Sequence, residues 1–378
     1  MRLLHTADWH LGRSLCSRSL LEDQALILEQ VIAIARDVRP DVVVIAGDLY
    51  DRALPPADAV RLLDETLCTL VLGLGLRVAA IAGNHDSPDR IGFAARLLEQ
   101  RGLVLHGQAG ARAPLVVADT HGQLAVHLVA YAEPASVRAA LGADVHDHDA
   151  ALRAQIGALA REPGRREVVV AHGFVTGGAE SPSERPLSVG TAGRVQADAF
   201  ASFAYAALGH LHRPQGLPGG RLRYAGAPLA YSFAEAGQTK SVALVEIDAI
   251  GELRHELVPL TPRRPVRIVT GTLAELLEAP RSEDYLRAEL TDTGALLDPF
   301  GRLQERFPNL LEIGRPTLGL GETGLAAAAG REALERDTAS LFAEFVAQLR
   351  DRPLDPAEAQ AFAELHAAWQ EREREARR

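Results

Sequence analysis

The chain has 378 residues, of which 47% are hydrophobic and 24% charged, as in ordinary globular proteins. Its net charge of −10 argues against a broad basic face for nucleic acid, although divalent cations at a carboxylate-rich site would reverse the sign locally. No apolar run approaches the ~20 residues of a membrane span, and the N-terminal apolar stretch is too short for a signal peptide. Cys16 and Cys68 show no metal-type spacing, so we expect a cytoplasmic protein without a disulfide framework.

The first part of the chain predicts a strand–helix–strand unit. A strand over 2–8 ends in Asp8-Trp9-His10, and a helix with apolar positions at helical spacing follows until Pro40. The β-branched run over 41–48 then predicts a strand that is buried on both faces. Such a unit favours parallel strands, and Asp48 lies at the carboxyl end of its strand, where ligands collect in α/β sheets.

The next unit adds a further strand end. A helix over 57–72 precedes a buried strand over 77–82, which delivers Gly83-Asn84-His85, and a helix over 89–100 follows. Asn is a neutral oxygen ligand, and the adjacent His cannot easily face the same ion. We therefore expect Asn84 on a metal ion and His85 toward the substrate.

Beyond residue 103 the sequence pattern changes to short apolar runs separated by turn-forming residues, which indicates a second sheet of short strands. The segment 133–163 reads as an insertion that contains a helix. A strand over 167–171 ends in His172, and a long Ser-, Gly- and Pro-rich loop follows it. The extended segment Gly209-His210-Leu211-His212 places two imidazoles on one side.

Seven oxygen and imidazole ligands thus lie at predicted strand ends: Asp8, His10, Asp48, Asn84, His172, His210 and His212. With Asp48 shared, they form two sites: Asp8, His10, Asp48 and His212 for one ion, and Asp48, Asn84, His172 and His210 for the other. Such ligands without thiolate favour manganese, iron or zinc. Two ions about 3.5–4 Å apart activate water and clamp a phosphate for in-line attack.

The motifs DWHLG, GDLYDR, GNHDS, AHG and GHLH resemble the signature of the calcineurin-like metallophosphoesterases. The stretches AHGFVTGG, SERPLSVG, ALGHLHRPQ and YAGAPLAYSF narrow the resemblance to the SbcD family of bacterial nuclease subunits. This resemblance implies a four-layer αββα sandwich, two Mn²⁺ ions per chain, a homodimer, and DNA end processing with the coiled-coil ATPase SbcC. It also implies that the seven residues above are the ligands and that His85 assists catalysis.

Three further residues receive predicted roles beside His85 in catalysis and substrate binding. His85 itself is expected to stabilise charge on the attacked phosphate or to protonate the leaving oxygen. Asp51 would orient the ring of His85, although it equally fits a turn-capping aspartate. Arg13 and Arg52 are assigned to substrate binding.

The predicted fold class is α/β: a metallophosphoesterase sandwich, a small α/β capping domain and a C-terminal helical segment. The expected boundaries are 1–262 for the nuclease domain, 263–313 for the capping domain, 314–330 for a linker and 331–378 for the helices. The last segment is predicted to form two amphipathic helices, with apolar positions Leu334, Leu341, Phe342, Phe345, Val346 and Leu349, and then Ala361, Phe362, Leu365, Ala368 and Trp369. The resemblance implies that this end binds SbcC, whereas the simpler alternative is that it folds back on the small domain.

The predicted activity is that of a Mn-dependent DNA nuclease, both a double-strand exonuclease and a single-strand or hairpin endonuclease. Two alternatives remain open: a small-molecule phosphodiesterase, and a scaffold for DNA or SbcC with dispensable chemistry. For the homodimer, the resemblance points to the helices near 57–72 and 89–100. The stripe of Leu63, Leu67 and Leu70 fits either a dimer surface or an ordinary core face.

Overall fold

The computed structural model describes residues 1–162, 164–184, 193–294, 296–315, 342–343, 346 and 355–376, with the backbone alone for 367–376. The predicted apolar positions Leu334, Leu341, Phe345 and Leu349 lie outside the described residues, as do the side chains of Ala368 and Trp369. The chain divides into two compact units, Met1–Arg267 and Ile268–Arg378. None of the described helices combines the length and the apolar character that crossing a lipid bilayer requires.

Two six-stranded sheets form the first unit. In order across the first sheet, the strands are β16 (Leu253–Pro259), β15 (Ser241–Ile247), β1 (Arg2–Thr6), β4 (Val42–Ile45), β5 (Val78–Ile81) and β6 (Leu103–His106). The last four strands are parallel, and all four residues of β4 are buried, as its unbroken β-branched run predicts.

The second sheet has the order β13 (Gln215–Gly216), β14 (Leu222–Tyr224), β12 (Tyr205–Gly209), β9 (Arg166–His172), β8 (Gly122–Val129) and β7 (Leu115–Asp119). Strands β14, β12, β9 and β8 are parallel. Apolar residues of both sheets, including Val44 and Val168, belong to one buried cluster, so the sheets pack face to face.

The described helices of this unit are α1 (Leu21–Val38), α2 (Ala57–Cys68), α3 (Pro88–Ile91), α4 (Ala95–Glu99), α5 (Pro134–Leu141) and α6 (His148–Gly157). Short strand pairs are β2 (Ser14–Leu15) with β3 (Arg18–Ser19), and β10 (Phe174–Val175) with β11 (Arg194–Val195). Helices α1 and α2 lie in the crossovers of the first sheet, whose outer-face residues Leu4 and Val43 are fully buried. Leu152 of α6 packs in the cluster on the outer face of the second sheet. The mixed α/β sandwich predicted from the sequence is confirmed.

Two predicted helices differ from expectation. The segment 57–72 continues from α2 into a π-helical turn over Thr69–Gly73, and the segment 89–100 is broken where Ala94 adopts a left-handed φ of 56°. Leu63, Leu67 and Leu70 are buried, so the stripe is a core face and the dimer interpretation of it is wrong. The exposed large apolar residues of these two segments are instead Val60, Leu72, Phe93 and Leu97.

The second unit has the predicted alternation of strand, helix, strand, helix and strand. Its elements are most of β17 (Val266–Gly271), which begins at the end of the first unit, and then α7 (Leu273–Glu278), β18 (Tyr285–Leu290), α8 (Pro299–Arg306), β19 (Leu310–Gly314) and α9 (Pro356–Ala376). Strand β18 lies between the other two, and the buried cluster combines Leu273 and Leu276 of α7 with Leu303 of α8. Thr272 and Glu275 form a capping box at the start of α7.

Candidate metal centre

The candidate ligands follow five strands of the two sheets. Asp8 and His10 come after β1, Asp48 after β4 and Asn84 after β5, while His172 ends β9 and His210 and His212 follow β12. Strands β1, β4 and β5 are neighbours in the first sheet, and β9 and β12 are neighbours in the second. Because parallel strands present their carboxyl ends at one edge, the two sheets bring all seven residues to a single place.

One group of ligands surrounds His10. Its Nε2 lies 3.1 Å from Nε2 of His212 and 3.5 Å from Oδ2 of Asp48. A ligand atom of Asp8 lies within 4.8 Å of ligand atoms of His10 and Asp48. This is the first set that the sequence predicts.

The second group surrounds His172. Its Nε2 lies 2.9 Å from Oδ1 of Asn84 and 3.4 Å from Oδ2 of Asp48. The Nδ1 atom of His210 lies 3.2 Å from the same Asn84 oxygen. The Oδ2 atom of Asp48 therefore belongs to both groups, as expected of a carboxylate that bridges two ions.

In both Asp8 and Asp48, one carboxylate oxygen holds the backbone of another ligand loop and the other oxygen is left for the metal centre. Oδ1 of Asp8 accepts from the backbone N–H of His210 at 2.8 Å, and Oδ1 of Asp48 accepts from that of His85 at 2.9 Å. Oδ2 of Asp8 is buried and has no hydrogen-bond partner among the described residues, and Oδ2 of Asp48 faces the imidazoles. A buried carboxylate oxygen without a donor is costly unless a cation binds it. The residues present thus fit two divalent cations.

Burial and the neighbouring charges shift the pKa values of the groups at the centre in opposite directions. Burial raises the pKa of Asp8 well above its usual range, and burial lowers the pKa of His210 to about 3. Burial alone would raise the pKa of Asp48, but the positive charge and hydrogen bond of His172 hold it well below its usual range. Burial likewise opposes the charge on His172, yet Asp48 raises the pKa of that imidazole to about 9. Bound cations would replace this internal pairing and favour the ionised carboxylates and neutral imidazoles that metal binding needs.

The backbone at the centre is strained. Four of the ligand residues have positive φ angles, which non-glycine residues adopt rarely: Asp8 (53°), His10 (44°), Asp48 (50°) and His210 (106°). Backbone hydrogen bonds hold two of them, from Asp8 N to the Gly47 carbonyl at 3.0 Å and from His10 N to the Asp48 carbonyl at 2.9 Å. Strain that the surrounding structure maintains is typical of functional sites.

Glycines permit the close approach of the loops. A Cβ atom on Gly83 would lie 2.2 Å from Oδ1 of Asp48, and one on Gly47 would lie 2.4 Å from Nδ1 of His172. Only glycine therefore fits before the Asp of the GDLYDR motif and before the Asn of the GNHDS motif.

A buried ion pair that the sequence reasoning missed supports His212. Glu235 and Lys240 are both buried, and Lys240 Nζ donates to Glu235 Oε2 and, at 2.9 Å, to the His212 carbonyl. Oε1 of Glu235 lies 3.3 Å from Nδ1 of His212, and the Ser183 hydroxyl lies 3.0 Å from the same nitrogen. Because a carboxylate only accepts, this contact favours a proton on Nδ1 and leaves Nε2 for a metal ion. Burial would raise the pKa of Glu235, but His212 and Lys240 lower it to about 2.

Two more buried polar residues were missed. The Gln24 side chain of α1 donates to the His10 carbonyl at 2.7 Å and to the Tyr231 hydroxyl at 3.2 Å. The Asp86 carboxylate accepts backbone N–H groups of Leu49, Tyr50 and Gly83 at 2.9–3.1 Å and thereby joins two ligand loops. A polar residue within the apolar periodicity of a helix, as at Gln24, was the available signal.

His85 lies at the edge of the centre. Its Nδ1 lies 2.8 Å from the backbone carbonyl of Asp51, and its ring packs edge-on against His10 with centroids 4.7 Å apart. The main-chain carbonyl of Asp51 makes this hydrogen bond, while its carboxylate lies within 4.8 Å of a His85 ring nitrogen, so the role of the side chain stays a prediction. The Asp51 carboxylate pairs with Arg13 Nη1 at 3.2 Å and lies 3.8 Å from Nδ1 of His10.

The predicted substrate-binding arginines differ in environment. Arg13 is mostly buried, donates to the Ser183 carbonyl at 3.1 Å and lies over the Tyr231 ring. Arg52 is largely exposed, with Nη2 4.0 Å from Asp51. His10, Asp51 and His85 also lie close enough to hold a cation together, which marks this edge as part of the same charged centre.

The chain is similar to several solved structures at low sequence identity. The protein TT1561 of Thermus thermophilus is 13% identical over 68% of this chain and 98% of its own, with a TM-score of 0.37. A dimetal phosphatase from Danio rerio is 14% identical over 69% of this chain and 99% of its own, with a TM-score of 0.37. GAP50, the anchor in the inner membrane complex of Plasmodium, is 12% identical over 69% of this chain and 89% of its own, with a TM-score of 0.35.

Two family models match the chain. The model of the SbcD C-terminal domain, described as the type 5 capsule protein repressor C-terminal domain, matches residues 262–350. The model of the calcineurin-like phosphoesterases matches residues 1–214, which include all seven candidate ligands. The chain therefore belongs to the calcineurin-like phosphoesterases and is an SbcD-type member of that superfamily.

Proposed function

We propose that this protein is a Mn²⁺-dependent DNA nuclease, an exonuclease on duplex ends and an endonuclease on single strands and hairpins. The observation that carries the proposal is the position of Asp48 Oδ2, 3.5 Å from His10 and 3.4 Å from His172. A carboxylate oxygen shared between two ligand groups is the arrangement that two-metal phosphodiester hydrolysis needs. Two bound cations would supply an activated water and neutralise the charge on the phosphate.

His85 is the proposed proton donor and charge stabiliser. The Asp51 carbonyl at 2.8 Å only accepts, so Nδ1 of His85 carries a proton. Nε2 is then the nitrogen that can carry a second proton and give it to the leaving oxygen. The contact with the main chain also helps to orient the ring.

The substrate and partners rest on the second domain. A match to the SbcD C-terminal domain at residues 262–350 supports polymeric DNA over a small phosphodiester, because a small substrate needs no such addition. We propose a homodimer that acts with an SbcC-type ATPase on DNA ends in the cytoplasm. Because the net charge of −10 argues against a broad basic face, we propose that the cation-loaded centre attracts the DNA.

The test is cleavage of labelled linear duplex, hairpin and single-stranded DNA with Mn²⁺, with and without an SbcC-type ATPase and ATP. We expect Mn²⁺-dependent release of nucleotides and stimulation on duplex ends by the ATPase. His85→Gln should lower the rate by about 10²–10⁴-fold while elemental analysis shows unchanged metal content, since His85 acts on the substrate.

The other outcomes separate the alternatives. Hydrolysis of a small chromogenic phosphodiester without cleavage of any DNA would identify a small-molecule phosphodiesterase. DNA or ATPase binding without hydrolysis of either substrate would identify a scaffold. A metal content that falls together with the activity in His85→Gln would make His85 a ligand.

A further inference from the structure

A cavity of about 550 Å³ opens directly beside the metal centre. Asn84 lies in its wall, and so the cavity adjoins one of the two predicted cation sites. The metal-ligand loop forms one side, and α5, within the inserted segment 133–163, forms another through Ser136, Ala139 and Ala140. The insertion thus contributes to the surroundings of the reaction centre. Cavities of about 300–1,000 Å³ are the usual size of small-ligand sites.

Tyr131 provides an anchored aromatic wall of this cavity. Its backbone N–H donates at 3.0 Å to the carbonyl of Ala82, just before the loop that carries Asn84. Its hydroxyl donates to Glu133 at 2.7 Å, and its ring stacks on His148 with centroids 5.5 Å apart and planes at 23°. His148 lines a separate small cavity to which Tyr131 also contributes, so the Tyr131 ring lies between the two spaces. The ring is therefore held in place relative to the metal-ligand loop.

The charge of the wall indicates which part of a nucleotide it accepts. No Lys, Arg or His is among the described residues that line the cavity, whereas Asp86 and Glu133 are. The Asp86 carboxylate accepts three backbone N–H groups, so its role is structural. Such a wall repels a phosphate group but suits an uncharged, flat group with amino and carbonyl edges, for which Glu133 and Ser136 offer hydrogen-bonding partners.

We propose that this cavity binds the nucleobase of the nucleotide next to the scissile phosphate, with Tyr131 as an aromatic contact. The inference rests on the proposed nuclease function, because a phosphate bound at the cations beside Asn84 would place its attached nucleoside at the cavity mouth. A base that enters the cavity has left the duplex stack, so the site favours single-stranded and frayed ends over fully paired ones.

The test has two arms: a bulky side chain introduced at an exposed position fills the cavity of the protein, and an abasic nucleotide removes the base from the substrate. Ala139 and Ala135 are both exposed on α5, but only Ala139 lines the cavity. Ala139→Trp should therefore fold normally and occupy the space, while Ala135→Trp is the matched control. Each variant and the wild type are assayed with Mn²⁺ on single-stranded oligonucleotides that carry either normal nucleotides or one abasic nucleotide, on the 5′ or the 3′ side of the cleavage position.

For the wild type, we expect kcat/KM to fall about 10-fold when the abasic nucleotide stands on one of the two sides, since base stacking on aromatic residues contributes about 5- to 150-fold in binding. Ala139→Trp should lose a similar factor on normal DNA and show no further loss on the abasic substrate, while Ala135→Trp behaves as the wild type. An Ala139→Trp variant that cleaves normal DNA at the wild-type rate, or a wild type indifferent to the abasic nucleotide on either side, overturns the base site while leaving the nuclease function intact. A wild type that cleaves no DNA refutes the proposed function instead.

Discussion

Each ligand carboxylate in this chain has two tasks at once. Asp8 and Asp48 each use Oδ1 to hold the backbone of another ligand loop, and each leaves Oδ2 to the centre. Because the supporting contact is to a main-chain N–H, it fixes the loop whatever side chain follows. The centre is therefore preorganised by its own ligands, in addition to the residues that surround it.

The division between the two carboxylates leads to a prediction about metal content. Asp48 contributes to both ligand groups, whereas Asp8 lies in the group around His10. We expect Asp48→Ala to lose both ions and Asp8→Ala to lose one, as measured by elemental analysis after dialysis against Mn²⁺. His85→Gln, at the edge of the centre, is the matched control and should keep both ions. Equal loss of a single ion in the two aspartate variants would contradict the shared role of Asp48.

The sequence revealed the ligands but not the residues that support them. Asp8, Asp48 and Asn84 were predictable because each closely follows a buried strand, and strand ends collect at one sheet edge. Glu235 was not, since a lone polar residue in a chain gives no sign of a partner that is distant in sequence. Gln24 could be noticed as a polar residue within the apolar periodicity of its helix, but its partners could not be predicted. Which polar groups share a buried space is decided by packing, and periodicity does not encode it.

At the scale of elements, the crossover helices show which structural features hydrophobic periodicity predicts and which it does not. The spacing of apolar residues predicted helices over 57–72 and 89–100, and helical turns are present in both segments. The break at Ala94 was not predictable, because the apolar period continues across it. Likewise, Leu63 and Leu67 have the same spacing in a core face as in an interface, and only the structure shows that they are buried.

The exposed apolar residues identify a better candidate for the dimer surface. Phe93 is 79% exposed and Leu97 71%, in the region of the consecutive short helices α3 and α4. We expect Phe93→Asp to keep the fold and shift a dimer to monomer in light scattering, because an exposed side chain of this size is stabilised by burial against a partner. Ile250, which is 84% exposed in the turn between β15 and β16, provides the control variant Ile250→Asp, which should leave the assembly unchanged.

A third variant tests the earlier choice of surface. Leu67→Asp places a charge at a position that is 8% exposed, so it should unfold the protein and not separate two folded subunits. Folded monomers of Leu67→Asp, together with an unaltered dimer of Phe93→Asp, would restore the stripe of Leu63, Leu67 and Leu70 as the interface.

At the scale of the whole molecule, the order of elements in the second unit was fully predictable. Strands at Val266, Tyr285 and Leu310 alternate with two short helices, as the sequence pattern indicates. The C-terminal segment was predictable only as helices, and α9 over Pro356–Ala376 agrees with that. The surface on which this segment packs was not predictable, because an amphipathic face fits a neighbouring domain and a separate protein equally well. Phe342 stacks on Phe362 with centroids 3.9 Å apart, while Leu365 remains 72% exposed.

The last prediction concerns this segment. Truncation after Gly330 should leave a protein that binds metal and cleaves single-stranded DNA with Mn²⁺, since every candidate ligand precedes residue 213. It should lose tight binding to the SbcC-type ATPase and the stimulation by ATP on duplex ends. Pull-down and nuclease assays with the full chain as the control check both parts. A truncated protein that binds the ATPase with full affinity would show that the contact lies elsewhere.

The placement of the ligands has a consequence for motion. Asp8, Asp48 and Asn84 follow strands of one sheet, and His172 and His210 belong to the other. Cations bound here would join the two sheets, in addition to the apolar contacts between their facing surfaces and the hydrogen bond from the His210 backbone to Asp8. Chelation should therefore loosen the two sheets at this edge, and amide hydrogen exchange should accelerate first at the carboxyl ends of β4 and β12, well before the outer strands respond. The ions that carry the chemistry would then also hold the scaffold in the one alignment in which the chemistry is possible.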